Sequence, residues 1–350
     1  MARDSSLTPL REYGEFGLID AMRRILGEVS GGELLTGISD DAAVYRIEGD
    51  RAHVITTDML VEGVHFDRLV MPMEYLGSKA MAVSVSDVAA MNAEPRYATI
   101  GLGLPENVFV EQIEEFYQGV RKACDLYGVQ VVGGDTTAAA RLTVSVTIVG
   151  EAAASRIVHR RGAVPGDLLC TTGELGGAYA GLRILLEQRR QLQEKGEDFA
   201  PDIDKYRYVI QRQLVPRARL DVVRDWAARG VRPNALIDLS DGIGSDLRHI
   251  CRASGCGAEL HLDALTIAPE TYAAAEELGE DVGVFALFGG EDYELLFAAS
   301  REEVGLMDSE TCHVIGRCTA GTDVMVRMPN GELLSLEQGG YEHFGAGDTS

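Results

Sequence analysis

The sequence predicts an α/β protein with mixed sheets that is divided into two domains. The chain has 350 residues, which exceeds one ordinary hydrophobic core and favours two domains of about 150 to 200 residues each. Runs rich in β-branched residues alternate with segments that repeat apolar residues at helical spacing, a pattern typical of α/β folds. Apolar residues make up 46% of the chain and charged residues 25%, as in globular proteins.

In the first half, four β-branched runs bounded by Gly, Pro or Asp predict strands at residues 53–61, 96–104, 129–134 and 142–150. Between them, segments 75–93 and 110–128 predict helices, because their apolar residues recur at helical spacing. The first half is therefore expected to be an α/β unit.

A small-residue and basic segment, residues 151–167, predicts a linker. We place the domain boundary near residue 155, which gives domains 1–154 and 155–350. The second half repeats the α/β pattern, with predicted strands in "LLCTTG", "ALIDLS", "YELLFAA", "CHVIGR" and "DVMVRM". The charged segment 187–205 predicts a helix extension followed by an exposed loop, and we assign it no function.

The charge balance disfavours nucleic acid as a partner. The chain has 32 basic and 55 acidic residues, which gives a net charge of −23. This negative charge repels phosphate backbones unless cations screen it. None of the four lysines follows a glycine, so the phosphate-binding loop that ends in Gly-Lys-Ser/Thr is absent. A nucleotide must therefore be held in another way.

The sequence also favours a cytoplasmic protein that does not enter a membrane. No apolar run reaches the roughly 18 residues of a membrane span, and the first residues lack the apolar core of a signal peptide. The six cysteines never form a Cys-x-x-Cys pair, which favours reduced and mostly buried thiols.

Five segments place an aspartate beside small residues at a predicted turn or strand end: "SDDAA", "TTDML", "SVSDVAAM", "VGGDTT" and "IDLSDG". Each aspartate alone is expected to be a helix cap or a turn residue. Together they indicate a shared site, because strand ends next to glycine turns are where α/β folds bind ligands.

Converging carboxylates would repel each other and raise each other's pKa unless divalent cations kept them ionised. Aspartates with hydroxyl neighbours such as Thr56, Thr57 and Ser240 supply the oxygen ligands that Mg²⁺ prefers. Protein-bound Mg²⁺ commonly bridges carboxylates to phosphates. The segments therefore predict a magnesium site for phosphate chemistry.

The motifs occur in an order that resembles the thiamine-monophosphate kinases, a branch of the superfamily of aminoimidazole ribonucleotide and selenophosphate synthetases. The resemblance covers nearly the whole chain. It rests on "GEFGLI", "GISDDAAV", "TTDMLVEGVHF", "KAMAVSVSDVAAMNAEP", "GGDTT", "HRRGAVPGD", "IDLSDGIGSDL", "GGEDYELLF" and "GYEHF". One departure is Ser39, where the family usually has Gly before the Asp pair.

The resemblance implies ATP-dependent phosphorylation of thiamine monophosphate to thiamine diphosphate, with several Mg²⁺ ions and ATP as co-substrate. It implies a two-domain synthetase-type fold in a homodimer that forms through the N-terminal domain, with the C-terminal domain closing the active site. The implied metal ligands are Asp41, Thr56, Thr57, Asp58, Asp87, Asp135, Asp238 and Asp241. The implied ATP contacts are Gly134, Arg160 and Ser240, and the implied substrate contacts are His65, Glu291 and Tyr341.

Among these residues, Asp87, Asp135 and Arg160 are expected to be catalytic. A phosphate monoester has its second pKa near 6, so the acceptor is already an anion at neutral pH and needs no general base. The remaining alternatives are another ATP-dependent synthetase of the superfamily, a Mg²⁺-dependent phosphatase, and a binding module without catalysis.

Overall fold

The computed structural model describes residues 8, 10–12, 14–27, 31–38, 40–196 and 202–336. Two mixed sheets with associated helices build the fold, in agreement with the predicted α/β class. The first sheet and its helices comprise α1 (Gly14–Leu26), β1 (Leu34–Thr36), β2 (Ala43–Glu48), β3 (Arg51–Val61), α2 (Met73–Ala90), β4 (Glu94–Leu104), α3 (Val110–Tyr127), β5 (Gln130–Ala138) and β6 (Thr143–Ala153).

The first sheet has six strands in the order β1-β2-β3-β6-β4-β5. Its pairings are antiparallel except for β4 with β5, which run parallel. The long β3–β6 ladder pairs Arg51 with Ala153 and Val61 with Thr143. β5 lies at one edge, and all nine of its residues are exposed.

The second sheet has seven strands in the order β13-β12-β9-β11-β7-β10-β8. Its elements are β7 (Leu168–Thr171), α4 (Gly177–Lys195), α5 (Arg207–Leu214), α6 (Leu220–Arg229), β8 (Ala235–Asp238), α7 (Ile243–Ser254), β9 (Gly257–His261), α8 (Pro269–Leu278), α9 (Val282–Phe288), β10 (Leu295–Ala299), α10 (Arg301–Val304), β11 (His313–Thr319), β12 (Val324–Arg327) and β13 (Leu333–Ser335). Only the β12–β9 pairing is parallel among the pairings of these described strands.

Helix α2 connects the two halves. Fourteen of its 18 residues are buried, as expected for a helix with apolar residues on every side. It packs on β3 and β6 of the first sheet and on β8, α5 and α6 of the second half. Helix α3 approaches α2 closely because Gly77 of α2 and Gly119 of α3 each face the backbone of the opposite helix. A Cβ on Gly77 would lie 2.0 Å from the Phe116 carbonyl oxygen.

The structure refines two expectations about the connecting segments. Residues 151–153 continue β6, so the irregular connection is shorter than the predicted linker. In the charged segment 187–205, α4 extends to Lys195, but Gln188 is buried and Arg189 forms an ion pair with Asp67. The first part of this segment therefore packs against the first half instead of being wholly exposed.

None of the described helices combines the length and apolar composition that a membrane span requires. The six cysteines are free, and four of them are buried.

Candidate active site

Three predicted aspartates meet where the two halves contact each other. Asp41, Asp87 and Asp238 each place one carboxylate oxygen within 4.8 Å of the others. Asp41 precedes β2, Asp87 lies in the last turns of α2, and Asp238 ends β8. The site therefore requires both halves, because Asp238 belongs to the second sheet.

Asp58 of β3 adjoins this cluster, and the side chains of Ser84 and Asp87 lie close enough to affect its pKa. Strand alternation directs Thr56 and Asp58 to the same face, and the Thr56 hydroxyl donates to Asp87 Oδ2 at 2.5 Å. Ser86 of α2 donates to Asp238 Oδ2 at 2.7 Å. The carboxylates are thus oriented by short hydroxyl side chains from the first half.

Burial and mutual repulsion raise the pKa of all four carboxyl groups. Burial is the main cause for Asp87, whose pKa lies well above its usual value, and the charges of Asp58, Asp238 and Asp41 add to the shift. Burial, together with the charge of Asp41, raises the pKa of Asp238 to about 7. The pKa values of Asp41 and Asp58 are also raised, chiefly by burial. Burial and mutual repulsion therefore favour protonation of these carboxyl groups when no cation is bound.

Arg160 provides a cation at one side of the cluster. Its Nη2 lies 2.5 Å from Asp41 Oδ1, and its Nε donates to the same oxygen at 3.2 Å. The carboxylates of Asp41, Asp238 and Asp40 hold the pKa of Arg160 above its usual value, although burial opposes this. Arg160 is therefore a permanent positive charge at the cluster.

The neighbouring Asp40 has a different role from Asp41. Its Oδ2 lies 2.8 Å from His159 Nδ1, and its Oδ1 accepts from the backbone N–H of Arg160 at 3.1 Å. Asp40 thus fixes the segment that carries Arg160, whereas Asp41 faces the cluster. The adjacent Ser39 lies outside the described residues.

The cluster has the properties of a site for hard divalent cations. Asp41 Oδ2 and Asp58 Oδ2 are buried without a hydrogen-bond partner among the described residues, and unpartnered buried carboxylate oxygens are costly. Carboxylate and hydroxyl oxygens form the ligand set that Mg²⁺ favours. The residues therefore fit Mg²⁺.

Two predicted ligands do not join the cluster. Thr57 lies on the opposite face of β3 from Thr56 and Asp58; its side chain is exposed, and its hydroxyl accepts from Thr147 at 2.9 Å. The prediction treated both threonines alike, but strand alternation separates them. Asp135 lies on the exposed edge strand β5, opposite Gly101 of β4.

Three predicted residues of the nucleotide and metal site remain: Gly134 in strand β5, and Ser240 and Asp241 in the loop between β8 and α7. Gly134 is required by strand packing, because a Cβ there would lie 2.0 Å from the Ile100 carbonyl oxygen. Ser240 and Asp241 lie between β8 and α7, and the Ser240 carbonyl accepts from the Glu291 N–H at 2.8 Å. These two residues therefore lie next to both Asp238 and the predicted substrate residue Glu291.

Two of the three predicted substrate residues, His65 and Glu291, lie among the described residues. His65 follows β3, and its Nδ1 accepts from the Val61 N–H at 3.0 Å. Glu291 lies between α9 and β10 with a φ of 68°, in the left-handed region. Tyr341 and the rest of the "GYEHF" motif lie outside the described residues.

Sequence reasoning missed several residues near the site. Lys79 of α2 is fully buried and forms an ion pair with Glu291. Asp246 of α7 is also buried. Burial raises the pKa of Asp246 well above its usual value, and the charges of Asp241 and Asp238 add to the shift. The signal for Lys79 was present in the sequence: a single charge inside the apolar run "KAMAVSV" requires a buried partner.

The "GGEDYELLF" motif forms a second group of buried acids. Asp292 accepts from the N–H groups of Gly176 at 2.6 Å and Ala178 at 3.2 Å, at the start of α4. Glu294 pairs with Arg212 Nη1 at 3.0 Å and Arg219 Nη1 at 2.6 Å, and it accepts from Thr172 at 2.8 Å. We call Asp292, Glu294, Arg212 and Arg219 the paired network.

Comparison with protein families matches two adjoining profiles. Residues 39–152 match the AIR synthase related protein, N-terminal domain, and residues 164–328 match the corresponding C-terminal domain. The chain is 38% identical to the thiamine-monophosphate kinase of Aquifex aeolicus (strain VF5) over 96% of this chain and 99% of that protein. It is 37% identical to the thiamine-monophosphate kinase of Escherichia coli (strain K12) over 95% of this chain and 98% of that protein.

Solved structures show the same likeness. A structure described as AaThiL complexed with AMPPCP and TMP has a TM-score of 0.83 and 36% identity, and the match covers 97% of this chain and 100% of that one. The hydrogenase maturation protein HypE in complex with ATP has a TM-score of 0.65 at 21% identity, which shows a common fold. The chain therefore belongs to the AIR synthase related family and, within it, to the thiamine-monophosphate kinases.

Proposed function

We propose that the protein transfers the γ-phosphoryl group of ATP to thiamine monophosphate, which yields thiamine diphosphate and ADP. The main support is the convergence of Asp41, Asp87 and Asp238 within 4.8 Å, with unpartnered carboxylate oxygens beside them, in a chain that resembles a protein solved with AMPPCP and TMP. Such a cluster is suited to binding phosphates through cations.

Asp41, Asp58, Asp87 and Asp238 would hold Mg²⁺, with Thr56 orienting Asp87 through its hydrogen bond. Bound Mg²⁺ would neutralise these carboxylates and the phosphate oxygens, so that two anionic substrates can approach each other. Arg160 would stabilise charge on the phosphates or the departing ADP, because a guanidinium donates several fixed hydrogen bonds. Gly134 and Ser240 remain proposed contacts of ATP. Asp135 and Asp241 remain proposed metal ligands.

In the reaction, an oxygen of the thiamine monophosphate phosphate forms a bond to the γ-phosphorus, and the bond to the ADP oxygen breaks. The acceptor oxygen is an anion at neutral pH, so no side chain has to remove a proton. The residues of the chain therefore position and screen the two phosphates, with Arg160 and the aspartates in the proposed catalytic roles. His65, Glu291 and Tyr341 are the proposed contacts of the thiamine moiety.

We also propose a homodimer that forms through the first half, with a domain division near residue 155. The edge strand β5 supports this, because all its residues are exposed, among them Val131 and Val132, and open strand edges pair readily with another chain. Asp135 lies on this strand, so dimerisation would bring it to an interface. The last strand of the first sheet ends at Ala153, and the first strand of the second sheet begins at Leu168. These bounds support the division into 1–154 and 155–350.

The function is tested by measuring ADP formation from ATP and Mg²⁺ with and without thiamine monophosphate. We expect turnover that depends strictly on this acceptor and is lost in the Asp87→Asn variant. Phosphate release without the acceptor would indicate a phosphatase instead, and ATP binding without ADP formation would indicate a binding module. Turnover with a different acceptor would indicate another synthetase of the superfamily.

A further inference from the structure

Lys79 is the buried cation of α2. Lys79 is 0% exposed, and a buried ammonium group is tolerated only when it is paired and hydrogen-bonded. Its Nζ lies 3.0 Å from Glu291 Oε1 and donates to the Gln213 carbonyl oxygen at 3.1 Å. The ammonium group therefore joins α2 of the first half to α5 and to the loop before β10.

Glu291 is held at both carboxylate oxygens. Lys79 contacts Oε1, and Gln213 Nε2 donates to Oε2 at 2.6 Å. The backbone of Glu291 is fixed as well, because its N–H donates to the Ser240 carbonyl at 2.8 Å and its φ of 68° is a conformation that non-glycine residues rarely adopt. The Glu291 side chain nevertheless remains 25% exposed, so part of this side chain is open to a ligand.

The same helix carries a residue of the acidic cluster. Asp87 follows Lys79 by about two helical turns, so α2 fixes the separation between the ammonium group and the Asp87 carboxylate. Because α2 is buried along most of its length, this separation is not expected to vary. A substrate that contacts Glu291 would therefore have its other end at a defined distance from the cluster.

We infer that Lys79 is a positioning residue, which together with Gln213 fixes the Glu291 carboxylate for binding of the thiamine moiety at a set distance from the acidic cluster. This inference rests on the proposed function, in which Glu291 contacts the substrate. It assigns to Lys79 no contact with either phosphate. Its loss should therefore affect the acceptor more strongly than ATP.

The test is steady-state kinetics of Lys79→Met, which keeps the length and helix propensity of the side chain but removes the ammonium group. We expect the KM for thiamine monophosphate to rise about tenfold or more, since small displacements of a positioning group are costly. The KM for ATP and kcat should stay within about threefold of the unsubstituted protein. Lys122→Met is the matched control, because Lys122 pairs with Glu74 at the surface of α3 with its side chain 70% exposed.

A double-mutant cycle separates positioning from general damage. If Lys79 acts through Glu291, the Lys79→Met/Glu291→Gln double variant should bind thiamine monophosphate no worse than Glu291→Gln alone. Additive losses would overturn the inference, as would an unchanged KM for thiamine monophosphate or an equal rise in both KM values in folded Lys79→Met. If Lys79→Met does not fold, Gln213→Met tests the other donor to Glu291, and the same acceptor-selective rise is expected.

The two hypotheses fail in distinguishable ways. Absence of turnover with thiamine monophosphate in the unsubstituted protein refutes the proposed function, and the inference about Lys79 falls with it. Acceptor-dependent turnover in the unsubstituted protein, with no selective effect of Lys79→Met, refutes the inference alone.

Discussion

The acidic cluster and the paired network both contain buried carboxylates but differ in how their charges are balanced. Asp238 in the cluster and Asp292 in the network are each 3% exposed, and Glu294 is 2% exposed. In the network, two arginines and backbone N–H groups surround the carboxylates. In the cluster, several carboxylates face each other, and two of their buried oxygens have no partner among the described residues.

The difference shows that burial alone does not mark a functional acid. Burial raises the pKa of Asp292 to about 6 even though Arg212 and two N–H groups oppose the shift. What distinguishes the cluster is the shortage of donors, because unpaired buried charge is costly without an added cation. We therefore interpret the network as structural and the cluster as the site of chemistry.

The largest expected effect follows from removing a carboxylate of the cluster. Asp87→Asn should lower Mg²⁺-dependent ADP formation by about 100-fold or more, because the electrostatic complement of the phosphates is lost. Its stability without metal should be maintained or increased, since Asp87 is repelled by Asp58, Asp238 and Asp41. Turnover assays and thermal unfolding measure the two quantities. Asp125→Asn on the exposed face of α3 is the control, and a similar loss there would contradict the interpretation.

The opposite outcome is expected in the paired network. Glu294→Gln leaves Arg212 and Arg219 without their shared carboxylate, and breaking a buried pair typically costs about 3 to 5 kcal/mol of unfolding free energy. Urea unfolding measures this change. Glu187→Gln, which removes the surface partner of Arg190, should leave the midpoint unchanged. A small effect of Glu294→Gln would show that the network is dispensable for stability.

Mg²⁺ should stabilise the protein more at higher pH. Burial raises the pKa of Asp238 to about 7 in the folded state, above the value of about 3.9 for an unperturbed aspartate. The metal-free native protein therefore binds more protons than the unfolded chain between these two pH values. The stabilisation that comes from protonated Asp238 is complete below the pKa of this residue in the unfolded chain. It is lost as pH rises through the pKa of Asp238 in the folded state. Thermal unfolding with MgCl₂ should show a larger stabilisation near pH 8 than near pH 5, because Mg²⁺ binds the ionised cluster. An equal shift at both pH values would argue against metal binding there.

The smallest effect distinguishes two adjacent threonines. Thr56→Val should raise the Mg²⁺ concentration for half-maximal activity by about tenfold, because the hydroxyl orients Asp87. Thr57→Val should leave it unchanged, since that hydroxyl pairs with Thr147 on the other face of β3. A stronger effect of Thr57→Val than of Thr56→Val would support the prediction that Thr57 is a metal ligand.

Most of the fold could be predicted from local patterns. The run at 53–61 and the segment at 75–93 correspond to β3 and α2 within a few residues, because β-branched alternation and helical periodicity are properties of neighbouring residues. Helix starts are less predictable: proline favours a first helical turn, but α6 begins at Leu220, after Pro216. Helix ends depend on packing as well as on residue type.

The sequence by itself determined the α/β class, the acidic segments and the family resemblance, since these depend on residue types and their order. Only the tertiary structure decided that Asp41 faces Asp87 and Asp238 while Asp40 faces His159, that Thr56 and Thr57 separate, and that Lys79 reaches Glu291. These contacts join residues far apart in the chain, and the packing of α2 between the two halves brings them together. Local pattern contains no information on which distant side chains meet, because burial against a second element decides their direction and their partners.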